Sequence, residues 1–418
     1  MSILRSTAST LAVAAIAAIG LGGAIAAKAD DHVKDPIGVV KLQKGEPIVI
    51  GFMGVLSGAD TSLGLDELRG VQIAMEDWGE AIDGHPLRVI EEDSLCSAEG
   101  GQTAATKLAA NQKVVAVAGP SCSSAAVPGA PILWKSGIPM VGISPTSPVL
   151  TAADRPADYD GFTRVVWNDS WAGKLTAEWA YNVAGAKTTV GIHDGSPYAE
   201  GLVQAYLDSF TALGGKVLGK EAVSPTDTDM RPVLTRVAAS KPDLIFFPDF
   251  VQVIAHITRQ AQSINGLENS ILLTADGALV PQVIEMTGGA ITKLNVTSND
   301  LSPEALGANY PDFLKKYEAK FGEKPIAGFH HFGYDAAQII LMAVKKVMVV
   351  EEDGTAYIGR KALRDAILAT SGYDGLTGTK TCNEHGDCGT FNYTVYQYTG
   401  TTDPYELGKN PKKVYPAN

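Results

Sequence analysis

Short apolar segments alternate along the chain with longer stretches in which apolar residues recur every three or four positions. The segment 47–53 predicts a buried strand. The stretch 66–78 predicts a helix, because its apolar residues share one face: Leu68, Val71, Ala74, Met75 and Trp78. Strands are next predicted at 87–90, 114–118 and 138–141, with helices at 98–111 and 123–136 between them.

The alternation then restarts and continues to about residue 274. It predicts strands at 162–167, 188–193, 216–223, 244–247 and 271–274. The helices between them are predicted at 171–183, 198–213, 230–240 and 251–263. Three more helices follow at 310–321, 331–349 and 359–370, and then hairpin-like segments at 376–380 and 390–398. Regular alternation of strands and helices predicts an α/β fold of two lobes, each with a parallel sheet covered by helices on both faces.

The N-terminus has the three parts of a secretory signal peptide. Arg5 precedes an apolar run at 11–27, the small-x-small sequence Ala27-Lys28-Ala29 ends it, and Asp30 is the first acidic residue. We therefore predict a signal peptide at 1–29, followed by an extended polar arm at 30–45. A transmembrane anchor is the alternative, but the run is rich in Ala and Gly and short for a span. Because Cys96 is the first cysteine, no lipid-attachment cysteine follows the run, and the mature chain is expected to be soluble in the periplasm.

Composition and charge exclude several classes of protein. The 418 residues are 45% hydrophobic and 19% charged, which is too apolar for a disordered chain and too rich in charges for a multi-span membrane protein. The 34 basic and 46 acidic residues leave a net charge of −12. Such a chain lacks the basic surface by which proteins bind nucleic acid or anionic lipid.

Four cysteines in an exported chain predict disulfides, with three pairings possible. Cys382 and Cys388 flank a polar turn, so a local bridge is predicted there, and Cys96 would then pair with Cys122. The alternative is a metal site of Cys382, His385 and Cys388, which lacks a fourth ligand nearby.

Motifs for catalysis and cofactor binding are missing. The chain has no phosphate-binding glycine loop, no dinucleotide fingerprint and no His-Glu-x-x-His sequence, so no cofactor and no metal are expected. Gly142-Ile143-Ser144 is not followed by x-Gly, so it is not a nucleophile elbow. His330 and His331 are neighbours on a helix and point about 100° apart, which predicts one inward and one outward ring rather than a metal site.

Polar loops follow three of the predicted strands, where α/β sheets bind ligands. After the strand at 114–118 comes the serine-rich turn 119–124, which opens a helix and favours an anion such as a carboxylate. The strand at 138–141 precedes a loop that exposes Ser144 and Thr146, and the strand at 271–274 precedes Asp276. Simple helix capping is the alternative for each loop taken singly. Together, receptors for a carboxylate and for an ammonium imply a zwitterion.

These loops resemble the leucine/isoleucine/valine-binding family of periplasmic receptors of ABC transporters, which has the type I periplasmic binding protein fold. The resemblance covers about 47–398 and is carried by segments in the same order and spacing: 48–51 with 54–58, 92–96, 119–124, 138–139 with 143–146, 192–194 with 198–201, and 275–277. It implies two Rossmann-like lobes joined by a hinge of three crossovers. Lobe 1 would comprise 46–165 and 299–390, and lobe 2 would comprise 166–298 and 391–418.

The resemblance also implies a role for each matching residue. Ser123, with the backbone of Ser121 and Cys122, resembles the carboxylate receptor. Ser144 and Thr146 resemble the loop that contacts both carboxylate and ammonium. Asp276 resembles the acid that pairs with the ammonium. The aromatic residues are Tyr198, which would close over the ligand, and Phe250 and Phe329, which would form the pocket walls. The family disulfide matches Cys96 and Cys122.

The implied function is that of a receptor, not an enzyme. A monomer would bind a branched-chain or other apolar neutral amino acid between its lobes and deliver it to an inner-membrane permease and ATPase. The sequence departs from the family at Phe250, at Asp276 and at Leu63, where Tyr, Glu and Tyr respectively are common. A receptor for an aromatic acid or a short amide is therefore an alternative, as is an envelope hydrolase that uses the serines of 121–124.

Overall fold

The computed structural model describes residues 33–288, 291–302, 304–400 and 403–416. The predicted signal peptide at 1–29 and the first residues of the predicted arm lie outside these ranges. No helix among the described residues has the length and apolar character to cross a membrane.

The first large sheet has six strands in the order β3-β4-β2-β5-β6-β7. All pair in parallel except the short β3, which is antiparallel to β4. The strands are β2 (Ile48–Gly54), β3 (Ala81–Ile82), β4 (His85–Asp93), β5 (Val114–Ala118), β6 (Met140–Gly142) and β7 (Phe162–Arg164). Strands β2 and β5 are buried along their whole length, because helices cover both faces of this sheet.

The second large sheet has seven strands in the order β18-β17-β12-β11-β10-β8-β9. Its first five strands in chain order run parallel, and β17 and β18 are antiparallel additions at one edge. They are β8 (Thr188–His193), β9 (Lys216–Ala222), β10 (Leu244–Phe246), β11 (Ile271–Ala275), β12 (Asn295–Asn299), β17 (Tyr393–Gln397) and β18 (Lys412–Tyr415).

Eleven α-helices occur among the described residues, and most of them connect consecutive strands. They are α1 (Thr61–Asp77), α2 (Ala98–Ala110), α3 (Ser123–Lys135), α4 (Asp169–Glu178), α5 (Pro197–Ala212), α6 (Arg231–Ser240), α7 (Val251–Ala261), α8 (Pro281–Thr287), α9 (Tyr310–Phe321), α10 (His330–Val347) and α11 (Arg360–Leu368). A π-helical turn, Trp179–Val183, extends α4.

The chain passes between the two sheets three times: after β7, after β12 and before β17. Between the second and third passages, α10 packs against α1 of the first lobe. The two helices meet at glycines, since a Cβ on Gly70 would lie 1.8 Å from the carbonyl oxygen of His330, and one on Gly333 would lie 2.1 Å from that of Glu67. This is the predicted fold of two α/β lobes with three crossovers. The exact lobe limits near residues 165, 298 and 390 remain a prediction. Strand β12 ends at Asn299, one residue beyond the limit predicted at 298.

The predicted polar arm is built into the fold. Val39–Leu42 forms β1, which pairs with β14 (Ala356–Gly359) in a small sheet that also contains β13 (Val349–Val350). Leu42 is fully buried there. A separate hairpin joins β15 (Tyr373–Gly375) to β16 (Gly378–Lys380), as the segment at 376–380 suggests.

Both predicted disulfides are present, Cys96–Cys122 and Cys382–Cys388. Other expectations need correction. The predicted strand at 162–167 ends at Arg164. Helix α8 and strands β3, β12, β13, β14 and β18 were not expected. The adjacent histidines also differ from the prediction, since both His330 and His331 are buried. His330 turns inward because its ring and backbone N–H groups bond to Asp66 Oδ2.

Candidate functional site

A cavity lies between the carboxyl ends of the two sheets. It is narrow: its empty space is about 310 Å³ with the part open to solvent included, and about 20 Å³ of this admits the centre of a water-sized sphere. The turns after β5 and β6 contribute one side, and the turn after β11 with the first residues of α5 contributes the other. Its lining consists of Leu63, Ser121, Cys122, Ser123, Ser144, Tyr198, Phe250, Asp276, Gly277 and Phe329. This is where open α/β sheets bind their ligands.

Eight of the nine predicted ligand residues line this cavity, and the ninth, Thr146, does not. The Thr146 hydroxyl is buried and donates a hydrogen bond of 2.7 Å to Asp169 Oδ2 at the start of α4. Burial raises the pKa of Asp169 to about 8, although this hydrogen bond acts in the opposite direction. Thr146 thus links the loop after β6 to the second lobe instead of lining the cavity.

The serine turn after β5 is fixed by a close backbone contact with β2 and by a hydrogen bond from the loop after β6. Gly119 has φ near +120°, and a Cβ there would lie 2.1 Å from the Met53 carbonyl oxygen, so only glycine allows this approach to β2. Ser123 begins α3, and its Oγ accepts a hydrogen bond of 3.1 Å from the Ser147 N–H. That bond leaves the Ser123 hydroxyl hydrogen for another acceptor. The first turn of α3 therefore offers hydroxyl and backbone donors at the positive end of a helix.

A glutamate lies directly behind the serines. Glu67, on α1, is fully buried and contacts two hydroxyls, Ser121 Oγ at 2.5 Å and Ser144 Oγ. Burial raises the pKa of Glu67 to about 8, against the lowering effect of both serine hydrogen bonds. The sequence analysis missed this residue, which is absent from every motif. One signal could have found it: Glu67 precedes Val71 by four positions and Ala74 by seven, so it shares the apolar face of its helix.

The opposite side of the cavity is acidic and aromatic. Asp276 lies in the short turn after β11, and the Tyr198 hydroxyl donates to its Oδ1 at 3.1 Å. Burial raises the pKa of Asp276 to about 6. The ring centroids of Tyr198 and Phe250 lie 5.4 Å apart, and Phe329 and Leu63, which come from the first lobe, complete an apolar wall. A carboxylate here can pair with an ammonium while the apolar wall contacts a side chain.

The loop after β6 is fixed by a buried arginine. Arg164, the last residue of β7, donates from Nη1 to the carbonyl oxygens of Pro145 and Ser147, which flank Thr146. Its charge is balanced by Asp387, whose Oδ1 lies 2.6 Å from Arg164 Nε. Asp387 belongs to the turn closed by the Cys382–Cys388 disulfide, and that turn therefore supports one wall of the cavity from outside.

The cleft widens beyond the cavity toward solvent. This outer space, about 1280 Å³ including its open part, has two carboxyls in its lining, those of Asp60 and Asp194. Burial raises the pKa of Asp60 to about 6. No cluster of three or more His, Cys, Asp or Glu side chains able to hold a metal ion occurs among the described residues.

Two α/β lobes with a lined cavity between the carboxyl ends of their sheets define a two-lobed ligand-binding protein. Comparison with known proteins gives the family. A family model described as "Periplasmic binding protein" matches residues 47–403, most of the chain. The chain belongs to this family of solute receptors of ABC transporters.

Curated relatives are distant. An amino acid binding protein of Pseudomonas aeruginosa is 27% identical over 244 residues, which are 58% of this chain and 64%, less than two thirds, of that protein. The Leu/Ile/Val-binding protein of Escherichia coli K12 is 24% identical over 355 residues, or 84% of this chain and 91% of that protein.

Solved structures share the fold. A leucine binding protein from Thermotoga maritima superposes with a TM-score of 0.76 at 26% identity, covering 86% of this chain and 97% of that one. A solute binding protein of an ABC transporter from R. palustris, in complex with benzoate, gives a TM-score of 0.69 at 20% identity, covering 88% and 95%. The second likeness is one of fold alone.

Proposed function

We propose that this chain is a periplasmic receptor that binds a neutral amino acid with an apolar side chain and delivers it to an ABC importer. A branched-chain amino acid fits this description. The observation that carries the proposal is the division of the cavity between donors on one lobe and an acid on the other. Ser123 and the first turn of α3 face Asp276 and Tyr198 across it.

The two sides match the two charges of an amino acid. The ligand carboxylate would accept from the Ser123 hydroxyl and from backbone N–H groups at the start of α3. The ligand ammonium would pair with Asp276, which Tyr198 holds in place. Phe250, Phe329 and Leu63 leave the remaining direction apolar, which disfavours a second charge on the ligand.

A ligand that touches both lobes stabilises their closed arrangement, because it gains contacts there that the open form lacks. The receptor would present this closed form to a permease and its ATPase in the inner membrane. We further propose that the chain reaches the periplasm through the signal peptide at 1–29 and acts as a monomer without catalysis. Its membership of a family of solute receptors supports this role.

An aromatic acid is the second candidate ligand, because a protein of the same fold holds benzoate. Such a ligand has a carboxylate for the serine side but no ammonium for Asp276. The two candidates therefore differ in whether binding needs the Asp276 charge.

A thermal-shift screen of ligand-free protein against amino acids, aromatic acids and short amides tests the proposal. We expect an apolar amino acid to raise the melting temperature most. Asp276→Asn should then weaken its binding by about 3 kcal/mol, or roughly a hundredfold in Kd, because the ligand ammonium loses its buried partner. Asp154→Asn removes an exposed acid and is the matched control. Binding of an aromatic acid that is unaffected by Asp276→Asn would contradict the amino-acid assignment.

A further inference from the structure

Among the residues that the structure describes, Glu67 is the one ionisable side chain hydrogen-bonded to the serines that line the cavity, and its contacts indicate whether it carries a proton. Three close oxygen–oxygen contacts join the group. Glu67 Oε2 meets Ser121 Oγ at 2.5 Å, Glu67 Oε1 meets Ser144 Oγ, and Ser144 Oγ meets the Ser121 carbonyl oxygen at 2.6 Å. Each contact needs a hydrogen between its two oxygens.

The two serines supply only two of these hydrogens. Ser121 Oγ accepts from the Val55 N–H at 3.1 Å, and its own hydrogen can fill the contact with Glu67 Oε2. Ser144 has one hydrogen for two acceptors, Glu67 Oε1 and the Ser121 carbonyl. A carboxylic acid hydrogen on Oε1 completes the set, because Glu67 then donates to Ser144 Oγ while Ser144 donates to the carbonyl.

The charges around Glu67 agree with this count. The titratable groups around it and around the cavity are Asp66, Tyr317, His330, His331, Tyr198, Asp276 and Asp169, and burial raises the pKa of Asp169 to about 8 as well. His330 bonds to Asp66 Oδ2, and burial lowers the pKa of His331 well below its usual value, so it is neutral. No ion pair joins Glu67 to a cation anywhere in the part of the chain that the structure describes. An ionised Glu67 would therefore be an unpaired buried charge, which is costly.

We propose that Glu67 is a positioning residue that acts as a buried, protonated carboxylic acid, and that its proton is required for an anionic group to bind at the serine turn. While protonated, Glu67 keeps the serine side neutral and directs the Ser144 hydroxyl to the Ser121 carbonyl. Once ionised, it draws both hydroxyl hydrogens to itself and places a negative charge beside the ligand carboxylate. The ligand part of this inference rests on the proposed function.

The sign of the pH dependence follows from the two sides of the cavity. Binding needs a protonated Glu67, and its pKa of about 8 keeps it protonated below pH 8. Binding also needs an ionised Asp276, and its pKa of about 6 keeps it ionised above pH 6. Affinity should therefore be highest between about pH 6 and pH 8. Above pH 8 it should fall about tenfold per pH unit for one coupled proton.

Infrared difference spectroscopy of the ligand-free protein tests the proton itself. The spectrum of wild type minus that of Glu67→Gln should show a carboxylic acid C=O band at pH 6 that disappears above about pH 8. Glu91→Gln, which changes an exposed glutamate on β4, should show no such band in the same comparison. Absence of the band at pH 6 would overturn the proposal whatever the ligand is.

Calorimetry with leucine tests the coupling. Wild type should lose affinity above pH 8 and take up close to one proton on binding at pH 9, measured in buffers of different ionisation enthalpy. Glu67→Gln, which keeps a neutral hydrogen-bonding group, should show no fall in affinity between pH 7 and pH 9. An affinity of wild type that is flat from pH 7 to pH 9 with no proton uptake overturns the coupling. If leucine binds at no pH, the proposed ligand fails, while the infrared band still decides the state of Glu67.

Discussion

Removing the charge of Asp387 should destabilise the protein and loosen the loop after β6. Asp387 is the ion-pair partner of Arg164, whose side chain is 0% exposed while that of Asp387 is 20% exposed. Its second oxygen accepts from Asn168 Nδ2 at 3.1 Å. In Asp387→Asn, the Arg164 guanidinium stays buried without its counter-charge. If the new amide oxygen keeps the hydrogen bond from Arg164, the new amide N–H₂ group faces the N–H₂ group of Asn168, and both are donors.

The magnitude follows from that burial. Breaking a buried ion pair by removing one partner costs about 3–5 kcal/mol, and the partial exposure of Asp387 favours the lower end, about 3 kcal/mol. Urea unfolding followed by circular dichroism measures the loss as a fall in the denaturation midpoint at constant slope. Asp374→Asn, an exposed acid on β15, should change stability by less than about 0.5 kcal/mol.

A double variant separates the buried charge from the loss of packing. Arg164→Met with Asp387→Asn removes both charges of this ion pair, so the double variant should be more stable than the sum of the two single changes implies.

Leucine affinity should fall in Asp387→Asn, because Arg164 holds the carbonyl oxygens of Pro145 and Ser147. A free energy of unfolding for Asp387→Asn within about 0.5 kcal/mol of that of wild type would refute the reasoning.

Two further predictions concern the same architecture. Replacing Cys382 and Cys388 by serine should cost about 2 kcal/mol in urea unfolding, because the bridge closes only a short loop, and a cost near zero would mean that the turn keeps its shape without the bridge. Gly70→Ala should lower the free energy of unfolding by about 1–3 kcal/mol, since the alanine Cβ would lie 1.8 Å from the His330 carbonyl oxygen. Gly219→Ala is the control, because its nearest neighbour would be 4.0 Å away, and equal melting temperatures for the two variants would argue against the close helix contact.

Much of the fold could be predicted from hydrophobic patterning, because its parallel strands are short apolar segments between amphipathic helices. Strand β12, Asn295–Asn299, was not predicted because polar residues occupy four of its five positions. They are accommodated by partners on other elements, such as the Thr176 hydroxyl of α4, which lies 3.0 Å from that of Thr297. Burial of such a strand depends on tertiary partners that patterning does not contain.

The residues around the cavity could be predicted where they sit in loops at strand ends, as Ser123 and Asp276 do. Glu67 could not be placed from those loops, because it reaches the serines from a helix that precedes them by more than fifty residues. Asp387 likewise reaches Arg164 from a distant turn. Such contacts between remote segments are set by the packing of whole elements and not by any local motif.

The central claim, that the cavity holds an amino acid by both of its charges, is tested most directly by one calorimetric comparison. Protein unfolded, stripped of ligand and refolded is titrated at pH 7 with leucine and with 4-methylpentanoate, which is leucine without its ammonium. We predict tight binding of leucine and a loss of roughly a hundredfold or more for 4-methylpentanoate, since Asp276 is then left without its partner. Equal affinity for the two compounds would contradict the account.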